Sequence, residues 1–296
     1  MKIVYFFKAL ILRLFNPFKK HNYKKDNPEY AKTIRPNKKF KNAFKGKRCF
    51  VIGNGPSLNN VDFSSLKNEV TFTVNQLPRN PSFADMKTNF HVWGDRVFFD
   101  LDLNDDGDRD LFEVMKKANT DDHKPKVLYE YRAKKMIEKN GLDKILDIDY
   151  FAIHSLSFSR RTKKIRMDKL MPDFPTVTQV IICMAVYMGF SEIYLLGCDC
   201  TGFVNIPQAR LNKTEQTLHS YELTDAERKR LVKQANGKRI RNELFEYVKI
   251  FDRYEELFYY CQKNGVALFN ATDTTLLESI PRIKLEDVLS DGNTRE

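Results

Sequence analysis

The run Cys49-Phe50-Val51-Ile52 stops abruptly at Gly53-Asn54-Gly55-Pro56-Ser57-Leu58. An unbroken apolar run bounded by such a turn reads as a strand buried on both faces, and strands of that kind belong to parallel sheets. The turn's glycines would let backbone lie against a phosphate. The pattern is not Gly-x-Gly-x-x-Gly, and no Gly-Lys-Ser/Thr follows, which argues against a Walker-type ATPase.

Similar punctuation recurs downstream. Val70–Val74 ends at Asn75-Gln76, Asn89–Trp93 at Gly94-Asp95, Glu192–Leu196 at Gly197-Cys198-Asp199, and Val266–Phe269 at Asn270-Ala271-Thr272. Lys126–Tyr129 and Ile148–Ile153 read as further strands. Helical spacing marks Leu111–Ala118, Arg132–Asn140, Thr178–Met188 closed by Gly189, and Arg239–Lys263 closed by Asn264-Gly265. Val61–Leu66 is a short helical or turn segment. Strands alternating with helices predict an α/β, variant Rossmann-like fold with a mostly parallel sheet. Ligands then bind outside the carboxyl ends of the strands, where the polar residues cluster.

With 296 residues the chain can build a core without staples. The odd cysteine count (Cys49, Cys183, Cys198, Cys200 and Cys261) suits reduced thiols rather than a disulfide framework. The net charge of +11 is unevenly placed: residues 1–48 hold 15 Lys/Arg against Asp26 and Glu29, and the remainder holds 35 basic and 37 acidic residues. The domain is therefore not expected to bind nucleic acid, whereas the arm suits an anionic surface.

Four units are expected: a basic amphipathic helix over 1–20, a linker of little structure over 21–47, an α/β domain over 48–285 with a lid-like insert at about 201–238, and a polar tail over 286–296. Ile3, Phe7, Leu10, Leu14 and Phe18 recur at helical spacing, with Lys2, Lys8 and Arg13 opposite. The stretch is short for a span and carries internal charge. No small-residue cleavage site follows it. An in-plane helix with a polybasic flank fits better than a helix packed on the domain. The insert carries Arg210, Lys213, Arg228, Lys229, Arg230, Lys233, Lys238 and Arg239, which suit an acidic acceptor. Its simpler reading is a solvated helix, Thr224–Gln234, capped by Thr224 with Glu227 three residues on.

Ile52–Leu58, with Asp62 and Val74-Asn75-Gln76, resembles the start of the bacterial sialyltransferases of glycosyltransferase family 42. Cys183–Asp199 resembles that family's second block. The same blocks occur in the 6-hydroxymethylpterin diphosphokinase-like and motility-associated flagellin glycosyltransferase families. The resemblance spans roughly residues 48–280. It implies a GT-A-like domain that binds a cytidine monophosphate (CMP) sugar as co-substrate, without metal or other cofactor. Gly53, Asn54, Gly55, Pro56, Ser57, Asn75, Gln76, Asp95, Thr176, Thr178, Gly197 and Asn270 would then serve the nucleotide. Asp199 ends the second block. Phe174-Pro175 and Thr201 stand where the family carries an arginine and a tyrosine, so Tyr221, Arg210 or Lys213 would serve the phosphate.

The family's base is a histidine, whose near-neutral pKa suits proton abstraction. His219 follows the second block and precedes the long helix, as that base does. His154, after a strand end, is the second choice, and His91 within a strand is structural. His21 sits in the arm and His123 in a polar loop.

The resemblance implies transfer of a sialic-acid-like or Kdo-like sugar to a surface glycan or lipid-linked acceptor. The site would lie on the cytoplasmic side, peripheral on the inner face of the cytoplasmic membrane, with homo-oligomers open. The alternatives are an ATP- and Mg²⁺-dependent diphosphotransferase using Asp95 and Asp199, and a non-catalytic nucleotide-sugar-binding scaffold. One further match is a calcium-loop template at Asp102, Asn104, Asp106, Gly107, Asp110 and Glu113. It competes with a plain acidic turn ahead of a helix.

Overall fold

The computed structural model describes residues 14–119, 123–204, 219–235 and 239–292. Seven strands form one sheet: β1 (Arg48–Ile52), β2 (Thr71–Val74), β3 (Phe90–Trp93), β4 (Lys126–Glu130), β5 (Ile148–Phe151), β8 (Glu192–Leu196) and β9 (Ala267–Asn270). Their order is β5-β4-β3-β2-β1-β8-β9, and every pairing is parallel. This is an α/β, Rossmann-like sheet flanked by helices. The chain winds from β1 out to β5, then returns to the other side of β1. The winding direction thus reverses between β1 and β8, where Val51 is paired with both Phe72 and Leu195.

Alternate side chains of β1 enter different cores. Cys49 and Val51 pack under the helix Val177–Met188, while Phe50 and Ile52 meet Leu58, Phe63, Leu66 and Leu77 on the other face. All twelve residues of Val177–Met188 are buried, as expected of a helix apolar on every side. It lies between the sheet and the long helix Ile240–Lys263. Gly189, at φ +90°, closes it in the left-handed region.

The expected strand Ile148–Ile153 is split. β5 ends at Phe151, and Ile153–His154 (β6) leaves the sheet to pair with Met171–Pro172 (β7). Val61–Leu66 is a 3-10 turn, Phe63–Leu66, capped by the Asp62 carboxylate on the Ser64 amide.

Two expectations need correction. Residues 21–47 are not a structureless linker. They contain the end of helix α1 (Asn16–Asp26), helix α2 (Tyr30–Ile34) and a 3-10 turn, Arg35–Phe40. Tyr23, Ile34 and Phe40 are buried against the domain, and Asn37 Nδ2 donates to the Tyr150 and Met167 carbonyls at 2.8 and 3.1 Å. A few widely spaced apolar anchors hold a segment whose average composition is polar. Nor is the C-terminal stretch simply a polar tail: Leu285–Gly292 is helical and Val288 is buried. Most of the expected 1–20 helix, residues 1–13, lies outside the described residues. Among those described, no helix is long and apolar enough to cross a membrane.

Ile34→Ala tests the docking of this segment. Truncating a fully buried isoleucine is expected to cost about 2–5 kcal/mol in urea unfolding, whereas a linker residue would change stability by less than about 0.5 kcal/mol.

Candidate functional site

The turns after β1 and β8 pack directly on each other at the winding reversal. Gly53 N donates to Leu196 O at 2.8 Å, and Gly55 N to Gly197 O at 2.9 Å. A Cβ on Gly53 would strike the Gly197 carbonyl, and one on Gly55 would strike the Asp199 carboxylate. Gly197 sits at φ +60° with its missing Cβ facing Leu58. The glycines expected to make room for a phosphate therefore make room first for the neighbouring turn.

Asp199 fastens the two turns together. Its Oδ1 accepts from Ser57 N at 2.9 Å and its Oδ2 from Ser57 Oγ at 2.7 Å. Burial raises its pKa, and the Ser57 hydrogen bonds pull the other way.

Beside this junction lies a cavity of about 490 Å³. Gly53, Asn54, Gly55, Asn75, Asp95, Thr176, Thr178, Gly197, Asp199 and His219, all singled out from sequence, line it. One wall is the N-terminus of Val177–Met188. Thr176 makes no side-chain cap there, and the first turn carries no acid. The unpaired amides and the positive dipole end favour an anion in the cavity. Thr176 Oγ1 lies 2.9 Å from Thr178 Oγ1, which lies 2.7 Å from Tyr254 Oη. This hydroxyl chain continues to Cys198 Sγ at 3.8 Å.

Asn75, at φ 45°, uses its Oδ1 to accept from Gly94 N at 3.4 Å, joining the β2 and β3 ends. Asp95 caps the next turn through Val97 N. Arg96 is the only Lys or Arg among the described lining residues. It pairs with Asp173 at 3.0 Å, and its side chain remains 70% exposed.

His219 stacks on Tyr221, with ring centroids 5.0 Å apart and planes within 4°. The ring lies beside the Asn54 backbone. Burial lowers its pKa, while Glu227 and the Asn54 backbone oppose the shift. The segment is pinned by Ser220 N to Asn54 O at 3.0 Å and by Asn80 Nδ2 to Ser220 O at 2.8 Å. His154 does not line the cavity; its ring lies 5.2 Å from Tyr23. His91 is buried between Thr73 Oγ1 at 2.7 Å and Asn75 O at 3.0 Å.

Several chosen residues stand outside the cavity. Pro56 opens a 3-10 turn, Ser57 is spent on Asp199, and Tyr221 backs His219. Asn270 shapes its own turn through Thr272 N and Thr275 Oγ1. Gln76 Nε2 donates to Glu227 Oε1 at 2.9 Å. Glu227 is buried and also holds Arg230, so the helix Asp225–Ala235 is docked rather than simply solvated. The Thr224 cap is present, with Glu227 N donating to Thr224 Oγ1. Arg210 and Lys213 lie outside the described residues, as do 205–218 generally.

The calcium loop is a correction. Helix Asp106–Lys116 begins at the template's fifth position, started by Asp105, which accepts from the Gly107 and Asp108 amides. Asp106 pairs with Arg109, Asp110 with Arg79, and Glu113 with Lys116. Side chains fixed along a helix cannot wrap one ion as a loop does. No cluster of metal-ligating side chains occurs among the described residues.

Sequence reasoning missed Arg96, Asp173, Ile250 and Tyr254, all of which line the cavity. Reading one residue past Gly94-Asp95 would have found Arg96. Tyr254 and Ile250 carry no local signal, since only helix docking brings them to the cavity.

No family model matches the chain, and no curated protein matches it significantly. Among solved structures it is similar to the sialyltransferase CstII from Campylobacter jejuni in complex with the substrate analogue cytidine-5'-monophosphate. The likeness covers 81% of this chain and 85% of that one, with 15% identity and a TM-score of 0.43. It is too distant to assign a function.

Burial depresses the His91 pKa from 6.5 to about 3. The folded state thus favours the neutral ring, and the unfolded chain takes up the proton first as pH falls. The His91 contribution is complete above pH ~6.5 and declines toward pH ~3, with a limiting slope of about 1.4 kcal/mol per pH unit. His91→Gln should flatten this limb in urea titrations at several pH values. An unchanged slope would refute the assignment.

Proposed function

We propose that the chain is a glycosyltransferase that moves a sialic-acid-like or Kdo-like sugar from a CMP donor to a surface glycan or lipid-linked acceptor. The observation that carries this reading is the convergence of the Gly53–Gly55 turn, a helix N-terminus and a half-buried imidazole on one cavity at the winding reversal. The sequence resemblance supplies the donor class.

In the proposed reaction, the acceptor hydroxyl loses its proton to His219 as its oxygen bonds the anomeric carbon. The bond from that carbon to the phosphate oxygen breaks, and CMP leaves with the electron pair. A neutral His219 ring carries a nitrogen lone pair that takes the proton. The nearby Glu227 charge favours the imidazolium that results. Charge growing on the departing phosphate would meet the amides at Thr176–Thr178 and the Arg96 guanidinium, in place of the family's arginine. Asn75 and Asp95 would contact the nucleotide. Residues 1–20 would hold the enzyme on the inner face of an anionic membrane, near a lipid-linked acceptor.

The diphosphotransferase alternative is weaker. Asp199, one of its two metal carboxylates, already accepts two hydrogen bonds from Ser57.

Thermal unfolding separates these readings. CMP should stabilise the protein; stabilisation by ATP with Mg²⁺ and not by CMP would overturn the transferase. His219→Ala should lower transfer at least ~100-fold, the scale of a lost general base, with the CMP shift preserved. Arg96→Ala should weaken CMP binding while leaving stability unchanged.

A further inference from the structure

The stretch Ser155–Lys169 reads SLSFSRRTKKIRMDK. Arg160, Arg161, Lys163, Lys164, Arg166 and Lys169 share the run with a single acid, Asp168, which pairs with Arg166, and Glu256 from the long helix accepts from the Arg160 amide. The run leaves the cavity wall at Ile153 and returns to it at Asp173. Its backbone is firmly seated: Phe158, Ile165 and Met167 are buried, and Ile165 N donates to Tyr260 Oη at 2.8 Å. Arg160, Lys163 and Lys164 are exposed above these anchors.

The run is also tied to its neighbours. Ser157 N donates to Asn16 Oδ1 at 2.9 Å, and Lys19 Nζ donates to Ser155 O at 2.5 Å, so helix α1 docks along its start. On the other side Lys263 Nζ reaches Arg161 O at 3.3 Å. Partial burial and then the nearby Lys41 ammonium lower the Lys164 pKa. Beside this basic surface, Leu14 (75%) and Phe15 (53%), just before α1, and Phe18 (64%) in its first turn are exposed. Large apolar side chains next to crowded cations match a lipid interface, where rings enter the acyl boundary and ammonium groups meet phosphates. A polynucleotide would use the cations and leave Leu14 and Phe18 without a role.

We propose that Arg160, Lys163, Lys164 and Lys41, with Leu14, Phe15 and Phe18, form a surface that seats on an anionic phospholipid bilayer beside the cavity. It shares the anionic bilayer with the membrane reading of the N-terminal segment but places the contact in the folded domain, so the two stand or fall separately. The domain is then oriented as well as tethered, with the cavity next to a lipid-borne acceptor.

Flotation of the full chain with phosphatidylcholine vesicles, with and without phosphatidylglycerol, tests this. Wild type should bind only the anionic vesicles. Arg160→Gln/Lys163→Gln/Lys164→Gln should weaken binding by about fivefold per cation, roughly a hundredfold in all. Leu14→Ser/Phe15→Ser/Phe18→Ser should weaken it as well, and Lys163→Arg/Lys164→Arg should retain it. An unaltered CMP-induced thermal shift in each variant establishes folding and keeps the result separate from the catalytic reading. Wild-type binding by the triple Gln variant would overturn the proposal. So would equal binding to neutral vesicles, or a preference for a short DNA duplex that the same substitutions abolish. Lys2→Gln/Lys8→Gln/Arg13→Gln distinguishes the two contacts: if it binds normally while the domain variant does not, the arm reading fails and this one stands.

Discussion

The contact between the turns after β1 and β8 governs the rest of the molecule. Two parallel strands end side by side at a winding reversal, and their turns must pass within hydrogen-bonding distance. That closeness is achieved by omitting Cβ at Gly53 and Gly55 and by holding Gly197 in the left-handed region. The Asp199–Ser57 bonds then lock the arrangement. Burying a carboxylate is costly unless its oxygens are satisfied, and here one serine supplies a donor to each. Adding a side chain at any of these glycines would push the strand ends apart, and the cavity with them.

The cavity's chemistry follows from the same geometry. Parallel strands point their carboxyl ends one way, and the connecting helix returns with its N-terminus at that end. The amides at Thr176–Thr178 and the backbone of the Gly53–Gly55 turn therefore face a common space. His219 reaches it from a separate segment, clamped to Asn54 through Ser220 and supported by Tyr221. A half-buried ring with a depressed pKa keeps its lone pair at neutral pH.

What could be read from the residues depended on where the information lay. Strands buried on both faces announce themselves as apolar runs, so β1, β8 and the fully buried helix were visible almost to the residue. The strand-end turns followed, and seven residues singled out there, Gly53, Asn54, Gly55, Asn75, Asp95, Gly197 and Asp199, do line one cavity. Residues 21–47 were misjudged because docking there relies on isolated anchors, Tyr23, Ile34 and Phe40, amid Lys and Asn. The calcium template failed for a different reason. It scores side chains by position, whereas Asp105 captures the Gly107 and Asp108 amides and starts a helix too early. Glu227 was read as the acid three residues beyond the Thr224 cap, and Thr224 does accept from its amide, but the burial of its carboxylate against Gln76 depends on a contact distant in sequence.

Averaging obscured the electrostatics in a similar way. Counting charges over residues 49–296 gives near balance, which suggests that basicity belongs to the arm alone. The acids and bases are segregated, however. Acidic residues gather around Asp102–Asp110, whereas six cations occupy the eleven residues from Ser159 to Lys169. Because Asn16 and Lys19 fasten the arm to the start of that run, arm and domain cations add on neighbouring surface instead of acting as a separate tether. A flexible arm would leave the cavity free to face any direction at a charged surface. An arm bonded to Ser155 and Ser157, two and four residues from the cavity-lining Ile153, does not permit that freedom. The hydrogen bonds of Asn16 and Lys19, at the end of the expected N-terminal helix, would therefore fix how the site meets a membrane.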